Sequence, residues 1–395
     1  MKRADATDWL ASMITSVFTS TKTPEEGGHA IAHSPGKLIL SGEHSVLYGA
    51  PALAMAIAQY TEVKFTPLGP GEGLKTAFEN LSTGASYPFQ LLHKFKESLD
   101  ERFDQFKRGE LAVHEILTRP DDLAVYTLAS LLQDSAGSTG TAMTGMGAVG
   151  HLPHPGRLSS RSDLPIGAGF GSSAAVVAAT TVLFESLLGR SKTLEERYER
   201  VRFCERLKHG KAGPIDAAAV VHGGLVEVTE AGLRIPQIQY PAELSEGEGW
   251  YWVQHGAPES STGECVSYVR ALHGEDTLLW DQFAACTLAM SDALTNGHDP
   301  SDAIRENQKL LEHIGVVPAA AQAFVQEVEA IGGAAKICGA GSVKGEGGGA
   351  ILIRLKDHAA MDALMQSNPG KMWSRLRMAN AGAMPGAAPQ YKGTP

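Results

Sequence analysis

Apolar positions at helical spacing predict helices over residues 89–118 and 122–134. An Ala/Val-rich run predicts another at 173–188, followed by a helix at 193–209 with one charged face. Strands are predicted at AIAHS, at LIL inside PGKLILSGEH, at YTEVKFTPL, in GRLSSRSDLP, and as a pair around GGLVEVTEAGLRIP. The second half opens with a predicted strand, WYWVQHG, and continues with helices near 262–272, 277–296, 299–313 and 318–330. Strands AAKICGA and AILIRL then flank a glycine-rich turn, before a helix near 358–366 and a strand near 371–378. Helices interleaved with strands in both halves predict an α/β or α+β architecture.

Three segments fall outside this pattern. Residues 1–28 read as an appended amphipathic helix and a soft linker. Ser135 to Pro155, rich in Gly, Ser, Thr and Met, reads as a mobile loop or lid, and 381–395 as a loosely held tail. Composition shifts near PAELSEGEG, so units are expected over 29–240 and 241–380. That division suits a chain of 395 residues.

Apolar residues make up 43% and charged residues 20%, as in soluble globular proteins. A net charge of −10 points away from nucleic acid and anionic membrane, though one local pocket can still bind phosphate. Four cysteines without a CxxC spacing point away from disulfides and zinc and towards a reducing cytoplasm. The apolar stretch Ala174–Phe184 is too short to span a bilayer.

LPIGAGFGSSAAVVAAT, residues 164–180, carries the most chemistry. Gly167, Gly169 and Gly171 permit positive φ and close approach to the backbone amides. A helix starting at Ser172, Ser173 and Ala174 aims its free N–H groups at the same spot, which makes an anion site. The plain structural reading is a helix start capped by Ser172 or Ser173. The G-x-G-x-G-S-S spacing fits neither the dinucleotide fingerprint nor the Walker loop, which needs a Gly-Lys pair at its end.

Other clusters are ambiguous taken singly. Lys37, after a Pro-Gly turn, is either a surface lysine at a strand start or a cation for a phosphate and a reacting hydroxyl. Glu43-His44 offers an acceptor and a donor in a turn. Glu205 is either an exposed helix pair with Lys208 or an oxygen ligand for Mg²⁺. Asp216 is either an N-cap for the segment from Ala217 or a base near a substrate hydroxyl. Ser261-x-x-Glu264 forms a capping box, beside which Thr262 could face a substrate. KICGAGSVKGEGGGAILI reads as a hairpin whose turn approaches phosphates or steadies the first glycine loop.

Taken in order, PGKLILSGEHSVLYGAPALA, LPIGAGFGSSAA, GPID and KICGAG…GGG resemble the motifs of the GHMP kinase superfamily, over residues of about 30 to 380. The Pro-Gly-Lys start and Gly-Glu-His end of the first motif are most similar to mevalonate kinases. Val343-Lys344-Gly345-Glu346 departs from the family's nearly unbroken third glycine run.

The resemblance implies an α+β, two-domain GHMP kinase fold, with an N-terminal ribosomal protein S5 domain 2-like unit and a C-terminal ferredoxin-like unit. It implies ATP held by Gly167, Gly169, Gly171, Ser172, Ser173 and Ala174, and Mg²⁺ held by Ser173 and Glu205. It implies Asp216 as base towards the C5 hydroxyl of mevalonate, Lys37 as the neighbouring cation, and Glu43, His44 and Thr262 as substrate contacts. A homodimer is a further implication. Phosphomevalonate, a sugar or another small alcohol stays open as acceptor, as does a non-catalytic ligand sensor.

Overall fold

The computed structural model describes residues 29–79, 84–137, 152–165, 167–211, 213–236 and 241–390. The N-terminal extension, 138–151 of the expected lid and 391–395 of the expected tail lie outside the described residues. The strands are β1 (Ala30–Ser41), β2 (Ala52–Pro67), β3 (Leu74–Phe78), β4 (Ser86–Tyr87), β5 (Gly156–Ser162), β6 (Leu225–Thr229) and β7 (Gly232–Arg234). They continue as β8 (Trp250–Gln254), β9 (Ala334–Cys338), β10 (Ala350–Arg354), β11 (Trp373–Arg375) and β12 (Met384–Pro385).

Two sheets result. The larger runs β12-β1-β2-β5-β3-β4, with β6 and then β7 added beside β2. The 16-residue β2 is its spine: one edge pairs with β1, while the other meets β6 over Ala52–Met55 and β5 over Thr61–Pro67. Every pairing is antiparallel except β3 with β5. The smaller sheet is antiparallel throughout, in the order β11-β8-β10-β9.

The helices are α1 (Leu92–Lys107), α2 (Asp122–Gly137), α3 (Ser172–Leu187), α4 (Leu194–His209) and α5 (Pro214–His222). Beyond them lie α6 (Ala242–Glu246), α7 (Thr262–His273), α8 (Thr277–Asn296), α9 (Ser301–His313), α10 (Ala319–Ala330) and α11 (His358–Ser367). α3 packs on β1 and β2 and is buried on nearly all sides from Ala174 to Glu185, as its small apolar residues predict. β8, β9 and β10 of the smaller sheet are buried on both faces, which explains why WYWV and AILI are unbroken apolar runs. Trp250, Trp252, Leu352 and Ala350 join the core of the large sheet, while Tyr251, Val253, Ile351 and Ile353 pack with Phe283, Phe324 and Leu311 on the helical side.

Several expectations need correction. Pro35-Gly36 is not a turn but a register shift inside one continuous β1. The helix expected over 89–118 is broken into a 3₁₀ turn at Phe89–Leu91, α1, and a second 3₁₀ turn at Val113–Glu115, since Gly109 at φ 75° ends α1. The segment from 381 is not loose over its described part. β12 pairs Met384 and Pro385 with His33 and Ala32, and Gly386 N donates to Ile31 O at 2.7 Å. Ala383 N also donates to Val220 O at 2.9 Å, so residues 383–386 are tied to the first sheet and to α5.

The join between β2 and β5 depends on one missing side chain. A Cβ on Gly156 would lie 2.0 Å from the Phe65 ring, which is itself buried edge-on to Phe184 at 5.6 Å. Gly156→Ala is therefore expected to destabilise the fold by about 1–3 kcal/mol through overpacking, read as a lower urea midpoint. An unchanged midpoint would show that the Phe65 ring has room to move.

Candidate active site

The glycine loop lies directly on β1. Gly167, Gly169 and Gly171 all have positive φ (75°, 86° and 72°), and Lys37 N donates to Phe170 O at 2.9 Å. That approach requires Gly36, where a Cβ would lie 2.3 Å from Leu164 and 2.9 Å from Phe170 O. A Cβ on Gly171 would press on Lys37 Cγ at 2.8 Å, so the loop and the lysine stem are packed as one unit.

Gly171 is the N-cap of α3, and no side chain caps the helix. The expected capping by Ser172 or Ser173 is thus not what these serines do. Ser173 Oγ instead donates to Glu205 Oε2 at 2.9 Å. The first-turn amides of α3, at Ser172, Ser173 and Ala174, have no carbonyl partner within the helix and lie beside the loop.

Lys37 and Asp216 meet here. Lys37 Nζ lies 3.0 Å from Asp216 Oδ1, with the lysine side chain 4% exposed and the aspartate 36%. Asp216 is not an N-cap: α5 starts at Pro214 with Gly213 as its N-cap, and Asp216 sits in the first turn. A proline at the first position and a carboxylate two residues later both favour that helix start.

Glu205 does not form the expected surface pair with Lys208. It is 3% exposed, shares its Oε2 with Ser173 and with His209 Nε2 at 3.4 Å, and leaves Oε1 buried without a partner. A hydroxyl and a buried, under-used carboxylate suit Mg²⁺, which takes few protein oxygens and fills its shell with water and phosphate oxygens. Among the described residues no group of three or more His, Cys, Asp or Glu could hold a metal, so these two oxygens would act with a ligand.

The third motif meets the loop from the other sheet. Cys338 O lies 3.6 Å from where a Cβ on Gly169 would sit, and Ala168 O lies 3.9 Å from that of Gly349. Phe170 packs edge-on to Trp252 at 4.9 Å. Glu43 does not face open space but binds Lys336 Nζ at 2.5 Å, both side chains being buried. His44 Nε2 hydrogen-bonds Ala340 O at 3.0 Å. Thr262 is exposed at the start of α7, and among the described residues no hydrogen bond joins it to the Lys37–Asp216 pair. Ser261 forms the expected capping box with Glu264.

Sequence reading missed Lys336 and His209. Lys336 carried a usable signal, since a lysine inside the apolar strand AAKIC must find a buried anion.

His44 is the one described residue other than glycine with positive φ, at 61°. Burial holds its imidazole below the ordinary value of 6.5, against weaker opposite effects from the Ala340 carbonyl and Glu43. The folded state then binds fewer protons than the unfolded state, so stability falls as pH drops through 6.5. His44→Asn, which tolerates a left-handed backbone, is expected to flatten the loss of urea stability between about pH 7 and 5. Part of the slope should remain, because burial also depresses His222 and His255. An unaltered slope would remove His44 as a contributor.

Comparison with known proteins shows what this chain is similar to. Residues 125–224 match the GHMP kinases N terminal domain. A mevalonate kinase of Thermococcus gammatolerans is 29% identical over 248 residues, covering 62% of this chain and 63% of that one. The match thus spans just under two thirds of that relative's length. A mevalonate kinase of Archaeoglobus fulgidus is 26% identical over 326 residues, covering 82% of this chain and 91% of its own. A solved mevalonate kinase superposes with a TM-score of 0.70 at 18% identity, covering 89% of this chain and 99% of that one. Residues 125–224 thus match a GHMP kinase N-terminal domain, and the chain as a whole shares the mixed α+β fold of that solved mevalonate kinase.

Proposed function

We propose that this protein transfers the γ-phosphoryl group of ATP to an alcohol, and that the alcohol is the C5 hydroxyl of mevalonate. The observation that carries the reading is the Lys37–Asp216 pair, set at 3.0 Å beside the uncapped start of α3. A cation and a carboxylate at one point, next to a ring of amides, fit a reaction that needs positioning and charge neutralisation more than covalent chemistry. The identity of the relatives supports mevalonate over other acceptors.

In this reading the amides of residues 167–174 bind the ATP phosphates. Ser173 and Glu205 would hold Mg²⁺, which when bound supplies further charge neutralisation on the phosphates. Asp216 orients the acceptor hydroxyl and takes its proton. A carboxylate is a weak base for an alcohol, so the proton moves late and Lys37 stabilises the charge developing on the oxygen. All of these residues come from 29–240, which we assign as the ATP-binding unit, with 241–380 as its companion.

ADP release measured with mevalonate, phosphomevalonate, galactose and homoserine tests the reading. Turnover with mevalonate alone is expected. Turnover only with another acceptor would move the substrate assignment, and none at all would favour a ligand sensor. Asp216→Asn and Lys37→Met are each expected to lower kcat by ~10²-fold or more, as for loss of one positioned charged group. Near-normal turnover in either variant would exclude that residue from the chemistry.

A further inference from the structure

The buried ion pair between Glu43 and Lys336 serves no step described above, and it is expensive to desolvate. Both side chains are buried, at 1% and 0% exposure, and the ammonium also donates to Ile337 O at 2.6 Å. Burial opposes the charged form of Lys336, yet the Cys338 sulfur and the Glu43 carboxylate beside it hold its pKa above the ordinary lysine value. Replacing such a pair with apolar residues is often neutral for stability, so its presence is weak evidence of a stabilising role.

Its position is more informative. Glu43 begins the turn that follows β1, the strand carrying Lys37, whereas Lys336 lies in β9, two residues before the carbonyl that meets the glycine loop. The same turn is tied to the second half at other points. His44 bonds Ala340, Ser41 Oγ bonds Thr287 Oγ1 at 2.7 Å, Asn307 Nδ2 donates to Ser41 Oγ at 3.1 Å, and Tyr48 stacks on Trp280 at 4.0 Å. Glu43–Lys336 is the charged member of this set. Hydrogen-bonded charges have a fixed direction that packing alone lacks, so the pair sets the register of the 339–341 turn against β1.

We propose that Lys336 is a positioning residue: through its buried pair with Glu43 it locks the turn after β1 to the turn after β9. This holds Lys37 and the glycine loop in alignment for transfer. The inference rests on the kinase reading for its effect on rate, but its structural part stands without it. Loss of the lock misplaces groups that act in the transition state, while the amides that bind ATP stay on α3 and its loop.

Lys336→Met alone leaves Glu43 buried and unpaired, so the decisive variant is the double Glu43→Gln/Lys336→Met, which buries no net charge. With the wild type assayed in parallel, its kcat is expected to fall about tenfold or more, since misplacement of about 1 Å is enough for such losses. Its KM for ATP should shift by less than about threefold. Amide hydrogen exchange should rise in 42–49 and 339–342 and stay unchanged in β2 and α3. Wild-type kcat with wild-type exchange in the double variant would overturn the proposal. If the double variant does not fold, Glu43→Gln, which keeps an oxygen facing the ammonium but removes its counter-charge, is assayed by the same kcat and exchange measurements beside its urea midpoint, and wild-type kcat with wild-type exchange would again overturn the proposal. A wild type that releases no ADP with any acceptor would overturn the kinase reading instead, and the exchange pattern would still decide the lock.

Discussion

A lysine ammonium with 4% of its side chain exposed requires a carboxylate within reach, and at Lys37 that requirement organises the site. The lysine stem is walled by Gly171, its own amide holds Phe170 O, and its charge is met by Asp216 from the first turn of α5. Three separated stretches of chain therefore converge on one cation. The α3 start and the α5 start are both brought to the same strand, which puts free amides, a cation and a carboxylate within one small volume. Positioned charges of this kind are what phosphoryl transfer needs most.

The smaller sheet backs that arrangement. With both faces of β8, β9 and β10 buried it is a shared wall: the tryptophans of β8 pack into the core of the large sheet, and Tyr251 and Val253 into the helices behind. Glycines occupy the points of closest approach. At Gly341 a Cβ would lie 2.1 Å from Val316 O, and at Gly347 2.0 Å from Ala257 O, so those glycines permit turns that side chains would force apart. The departure in the third motif is absorbed in the same way. Gly345 leaves room for Glu259, and Ser342 and Val343 bond to Ser260 at the start of α7.

Much of this was legible beforehand where local physics decides. The helix over 277–296 and the capping box at Ser261 follow from apolar spacing and cap chemistry. The alternating glycines of the loop do adopt positive φ, as their spacing implied. The readings that failed were those that treated a residue by its neighbours in the chain. Pro35-Gly36 looks like a turn, but its glycine is needed for contact with residues 164 and 170. Asp216 looks like an N-cap and Glu205 like a surface helix pair, yet each has its partner in a segment more than 30 positions away. The segment from 381 looks loose because Gly and Pro dominate it, while the backbone of Met384 and Pro385 completes the edge of the first sheet.

The amino-acid order by itself determined which segments become helices, strands and glycine turns, because spacing, caps and backbone freedom act over a few residues. It also carried four motifs that, met in order, resemble those of the GHMP kinase superfamily. The resemblance already implied Lys37 beside Asp216 and Ser173 beside Glu205; only the tertiary structure showed that Glu43 is paired with Lys336 rather than facing open space, and that Glu205 is buried with one oxygen unused. Ion pairing inside a protein depends on distance and desolvation in three dimensions, and neither quantity is written in local sequence.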